Sequence, residues 1–382
     1  MANGKALKLA EHLRKYLLLY VIIAIILALP IGYSAAGFIK THKPLMKNMI
    51  ITLAILTLFP SMVQLKLEKF GSELATKKLE TIIALIIIFG VGPLTAMLVA
   101  GYLPNKPISI GFVAANSVPA SSASIAYVLL AEGNIEFATL LAIISIIGAL
   151  GVVPAYVGLY ARTVSVSVPV TVLGESVALA LLTPFILGQL TRYYLVKRRA
   201  KKVLRSTEIE LPCKKIETHL SGLEEALSHI EDALECIEGK IDKKIKPYLS
   251  LWTMLAMLFL VGTLIAAKAG LLVKKPMLAA DILGLQGIVY GAVIASVIAV
   301  TKLMHLSYED HAAITFISLT KNESVAAAVS VMAIGAAAAI PAALVPAIQP
   351  VIAILYLWAL PYLGKALRMP RREMIAITTP AR

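Results

Sequence analysis

Two short polar stretches interrupt otherwise apolar runs, and they hold the residues best suited to chemistry: Asn116-Ser117-Val118-Pro119-Ala120-Ser121-Ser122 and Thr320-Lys321-Asn322-Glu323-Ser324. Asn116, Ser121, Ser122, Ser124 and Asn322 offer neutral donors and acceptors, while Lys321 and Glu323 place one charge of each sign in apolar surroundings. Amides and hydroxyls of this kind suit the binding of a small polar solute or an ion. Ionisable side chains inside membrane-spanning segments are rare and mark solute, ion or proton pathways. The apolar runs contain no His-Glu-x-x-His, no nucleophile elbow and no phosphate loop, so an enzyme is not expected. No cofactor and no metal site are expected either, because the only cysteines, Cys213 and Cys236, lack Cys-x-x-Cys spacing.

The elements that must position these residues are transmembrane helices. Of 382 residues, 59% are hydrophobic and 15% charged, and the mean hydropathy is +0.85. No soluble core of this length buries such an apolar excess, so much of it faces lipid. Apolar runs near 16–38, 46–64, 80–103, 108–132, 136–160 and 169–196, and then 248–272, 277–301, 311–335 and 338–367, approach or exceed the ~20 residues that cross a bilayer as helix. The expected fold is therefore an all-α polytopic membrane protein of about ten spans. No cleavable signal peptide is evident, and the first run reads as the first span.

The formal net charge of +14 comes from 36 basic and 22 acidic residues. The basic residues sit between spans rather than along one aromatic-interleaved face, which argues against nucleic acid. With the N-terminus inside, most of them fall in the 65–79 loop, the central segment and the C-terminal tail, so the positive-inside rule puts both termini and the centre on the cytoplasmic face of the plasma membrane. Ten spans split into five and five, and an odd number per half gives inverted repeats. The two interruptions fall in the fourth span of each half, and each is followed by small residues suited to close helix approach. Unwound backbone at that depth is tolerated where protein or a watery cavity satisfies it, so paired breaks in crossing fourth and ninth helices point to one solute site.

Residues 1–197 thus form the first five spans plus the sixth, 198–247 a polar insert, and 248–382 the remaining four spans and a basic tail. Within the insert, Ile216, Leu220, Leu223, Leu227, Ile230, Leu234, Ile237 and Ile241 recur at alternating steps of four and three. That is a coiled-coil stripe, with Gly239 weakening its last turn and Pro247 expected to end the helix. It predicts a homo-oligomer through residues 216–241, or else an amphipathic helix folded back on the bundle or the lipid interface.

Several motifs in order resemble the bile acid:sodium symporter superfamily, and within it the arsenite-efflux permeases of arsenical resistance. Leu58-Phe59-Pro60-Ser61-Met62 with the charged loop after it, and Gly188-Gln189-Leu190-Thr191-Arg192-Tyr193, are similar to permease elements. Pro119-Ala120-Ser121-Ser122-Ala123-Ser124 and Leu130-Ala131-Glu132-Gly133-Asn134 are similar to the symporters' Pro-Gly-Gly-Thr-Ala-Ser and Leu-Ala-Lys-Gly-Asp. Tyr308-Glu309, Phe316 and Asn322-Glu323 resemble the permeases' Tyr-Glu, Phe and Asn-Asn-Phe-Glu run. The resemblance covers nearly all of the chain except the insert, and it implies a crossed-helix secondary transporter.

Departures refine what the resemblance implies. Where the permeases carry a cysteine in the first break, this chain has Ala120 or Ser121. Where sodium-coupled relatives place polar ligands, it has Ile125, Ala138 and Ala142, and in the second break Ile317 and Lys321. A fixed ammonium stands where a cation would bind. The resemblance thus implies sodium-independent, proton-coupled efflux of a metalloid or inorganic oxyanion. Uptake of an organic anion, or a receptor or scaffold that retains the fold without transport, are the other readings.

Overall fold

The computed structural model describes residues 9, 12, 13, 16–65, 74, 76–121, 123–198 and 223–371, with the side chains of residues 197, 223–238, 242 and 243 outside that description. Ser122, Ile216 and Leu220 therefore lie outside the described residues, as do the stripe side chains from Leu223 to Ile237.

The described chain is helical, and no named strand occurs in it. In hydrocarbon no water pairs with the backbone, so a spanning segment must satisfy its own N–H and C=O groups. In chain order the helices are α1 (Leu17–Ser34), α2 (Ala36–Thr41), α3 (Lys43–Gln64), α4 (Lys78–Ile86), α5 (Gly92–Ala100), α6 (Lys106–Ser117) and α7 (Ala123–Leu130). There follow α8 (Ile135–Thr163), α9 (Val170–Arg192), α10 (Leu223–Lys274), α11 (Met277–Met304), α12 (Tyr308–Leu319), α13 (Glu323–Ala333) and α14 (Ile340–Ala366). A π-helical turn over Ile87–Val91 joins α4 to α5, and a second, Tyr193–Lys197, extends α9. Seven helices among the described residues are long and apolar enough to cross a membrane. The molecule is a multi-pass α-helical membrane protein.

Local sequence explains where the elements start. Asn105, Asn134 and Ser307 cap α6, α8 and α12, each side chain accepting from a backbone N–H in the first turn. At the base of α12 the Asp310 carboxylate meets Lys77 and accepts from Asn134 Nδ2 at 2.8 Å, so this buried pair ties the starts of α4, α8 and α12 together.

Helices α1, α3, α9 and α10 pack on one another, while α6, α7, α8, α11, α12, α13 and α14 pack around the two breaks. Contact between the groups runs through α13 against α3 and α9, through α8 against α9, and through α14 against α1 and α10. Where α9 meets α3, a Cβ on Gly188 would collide with main-chain atoms of Met62 and Val63. Just beyond it, Gln189 Nε2 donates to the Met62 and Leu65 carbonyls at 2.8 and 3.2 Å, and Arg192 reaches the Val63 carbonyl at 3.4 Å. The Gly-Gln-Leu-Thr-Arg motif thereby satisfies the last carbonyls of α3, which no intrahelical N–H reaches.

One expectation fails. Pro247 does not end the insert helix: α10 runs unbroken through it, from Leu223 to Lys274. Proline removes one helical hydrogen bond and bends the helix, but it does not forbid continuation, and the apolar run beyond it favours helix.

Candidate functional site

The two breaks meet. Pro119 disfavours helical backbone at the residue before it, and Val118 is extended at φ −69° and ψ 161°. Thr320, after the last residue of α12, is extended too. The unwound segments form an antiparallel bridge, Ala120 to Lys321. Ser121 N donates to the Thr320 carbonyl and Asn322 N to the Pro119 carbonyl, both at 2.9 Å. Two more backbone amides are satisfied by side chains of the spans that follow. Ala120 N donates to Ser145 Oγ of α8 at 3.1 Å, and Lys321 N to Gln349 Oε1 of α14 at 3.0 Å. The two halves thus solve the same problem in the same way: each unwound strand is held by its opposite and by a polar residue of the next span.

The charges at the crossing lie in each other's field but make no direct ion pair among the described residues. Lys321 Nζ donates to the Ile88 carbonyl of the π turn at 2.9 Å and lies 6.0 Å from the Phe89 ring centroid. That carbonyl is free for a reason written in the sequence. In an α-helix Gly92 N would serve it, but the π register sends Gly92 N to the Ile87 carbonyl instead. The next donor along the chain would be residue 93, which is a proline without an N–H. The ammonium fills that vacancy. Glu323 stands in the first turn of α13, where a carboxylate complements the helix dipole, and Lys321 lies just past the end of α12, where a cation does. Both are buried, and the Glu323 Oε2 has no hydrogen-bond partner among the described residues.

The other expected site residues divide. Ser124 Oγ bonds both the Ser121 carbonyl and the Thr320 hydroxyl across the crossing. Ser121 and Asn322 are partly exposed there, and the Asn322 side chain has no hydrogen bond among the described residues. Asn116 is turned to other work, exchanging two hydrogen bonds with Gln286 of α11 at 3.0 and 2.9 Å and donating to the Phe112 carbonyl. Ala138 and Ala142 are buried beside the first break and offer no ligand.

Reading the interruptions alone overlooks Ser145, Gln286, Gln349 and the Ile88 carbonyl. Gln286 and Gln349 carry a visible signal, since each is an uncharged polar residue in the middle of a long apolar helix. An almost wholly apolar pocket of about 300 Å³ lies elsewhere, between α8, α9 and the end of α3. It has no part in this chemistry.

The sequence profile of the sodium bile acid symporter family matches residues 50–275, more than half of the chain. A search of curated proteins returned no match.

Proposed function

We propose, because the chain belongs to the sodium bile acid symporter family and is a multi-pass membrane transporter of that type, that it is a secondary active carrier whose solute passes the crossing of its two broken helices. The observation that carries this reading is the shared bridge of Ala120 and Lys321 with Lys321 and Glu323 buried beside it. In this reading the chain has ten spans in two inverted five-helix repeats, lies in the plasma membrane, and keeps both termini and the insert cytoplasmic. The matched roles of Ser145 and Gln349 support the inverted repeat.

The solute is a metalloid or inorganic oxyanion, exported against protons without sodium. Ser121, Ser124, Asn322 and Glu323 bind it, while Lys321 is a fixed cation on the Ile88 carbonyl. Asn116 holds the first break in place through Gln286. The same ammonium, together with the absence of cysteine from every span, favours a second reading, uptake of a small organic anion.

The test is flux in proteoliposomes of arsenite, antimonite and small carboxylates under imposed proton or sodium gradients. Proton-driven arsenite or antimonite flux supports the first reading, and proton-driven carboxylate flux the second. A requirement for sodium contradicts both.

A further inference from the structure

Below the crossing, α12 carries a polar stripe that the solute site does not use. His311, Thr315 and Ser318 stand at i, i+4 and i+7, on one face of a helix that is otherwise mostly apolar. All three are buried. His311 has a partner at each ring nitrogen, Thr301 Oγ1 of α11 at Nδ1 and Tyr356 OH of α14 at Nε2, both at 2.6 Å. Thr315 sits against Tyr356 as well. Ser318 Oγ, above them, has no hydrogen-bond partner among the described residues.

The facing helix carries the matching half. On α14, Tyr356 and Gln349 are i+7 apart and share a face, so the phenol lies about 10 Å along the axis from the amide that holds Lys321 N. Between them α14 has the small residue Ala353. At the other end, Thr301 lies one turn before His305, which is exposed and ends α11. Hydrogen bonds join Thr301, His311 and Tyr356; His305 lies one turn from Thr301 on α11, and Ser318 and Gln349 stand further along α12 and α14 toward Lys321.

We propose that this seam between α12 and α14 is a proton path, with water bridging Tyr356, Ser318 and Gln349, that joins the surface at His305 to the charged crossing. A neutral imidazole donates from one nitrogen and accepts at the other, and hydroxyls on both sides do either. A proton arriving at Nδ1 from Thr301 therefore leaves from Nε2 to Tyr356, which passes its own hydroxyl proton onward; return to the first tautomer resets the chain with no net change in the protein. A buried hydroxyl with no protein partner is the kind of group that ordered water satisfies. Charged and titratable groups near α12 include the Lys77–Asp310 pair, Glu309, Tyr308 with Glu132 nearby and Arg371 against its ring, Tyr127 of α7, and Tyr290 of α11, which lies near Tyr127 and Glu323. The inference deepens the carrier reading by giving its proton a route.

The experiment reads proton entry and solute exchange separately, so its failure is distinct from a failure of the carrier reading. Full-length protein is placed in proteoliposomes loaded with antimonite and a pH-sensitive dye, and the outward antimonite gradient drives protons inward. Wild type should admit protons well above protein-free liposomes, and it should exchange internal for external antimonite with no proton gradient; exchange without proton entry counts against the path alone, and loss of both against the carrier reading. His311→Gln restores both hydrogen bonds but cannot relay a proton, and should slow entry by roughly a hundredfold or to the liposome baseline. Tyr356→Phe should do the same, so a variant that fails to fold does not decide the matter alone. A purely structural histidine would change the unfolding temperature and leave proton entry untouched. That result, or a wild type no faster than bare liposomes, overturns the proposal.

Discussion

Lys321 and Glu323 are two residues apart, yet the start of a helix lies between them and each finds its own surroundings: a freed carbonyl for the ammonium, a helix N-terminus for the carboxylate. Removing one of two buried charges leaves the other uncompensated, which costs about 3–5 kcal/mol where such pairs have been broken. Lys321→Met should therefore lower stability by about that much, and Lys321→Met combined with Glu323→Gln should recover most of it. Chemical unfolding of the purified variants in detergent measures both. Equal losses in the single and the double variant would mean that the two charges do not interact.

At the scale of elements, the π turn of Ile87–Val91 is a device rather than an irregularity. Pro93→Ala supplies the missing N–H, lets Gly92 N return to the Ile88 carbonyl, and takes away the acceptor of Lys321. A structure of that variant should show regular α-helix through residue 93 and Lys321 Nζ moved off Ile88; a surviving π turn would contradict this cause. The junction of α3 and α9 is as specific. Gly188→Ala puts a methyl group into the backbone of Met62 and Val63, so it should cost about 1–3 kcal/mol and lower the midpoint of thermal unfolding. An unchanged midpoint would show that the helices can separate there without loss.

These elements also show what could be read in advance. The breaks were legible because proline, asparagine and serine in an apolar run leave backbone groups that something must satisfy. Their meeting was legible from their matching positions. The π turn was not, because its cause is a proline just past it and its partner is a lysine far along the chain. Nor was the use of Asn116, because nothing in the sequence pairs its amide with Gln286, a residue of another helix far along the chain. Pro247 misled for the opposite reason: a helix-breaking residue was given more weight than the apolar run that follows it.

For the whole molecule, the consequence of an unbroken α10 is mechanical. Its 52 residues extend about 80 Å, so the insert from Leu223 onward continues the span Lys244–Lys274 as one helix. Association through the heptad stripe would bring those spans of two copies into fixed relation. The isolated segment 210–246 should be helical and self-associate at tens of micromolar, with the heptad stripe as its interface. Sedimentation that finds only monomer would remove the oligomer.

In the proposed carrier the ammonium at the crossing serves where a mobile cation would otherwise bind. Its most direct test is solute flux by the wild-type protein in proteoliposomes with sodium replaced by choline at constant pH and a constant proton gradient. The rate should be unchanged, while Lys321→Ala, where it folds, should lose proton coupling or acquire a need for sodium. Flux by the wild type that disappears without sodium would contradict the account.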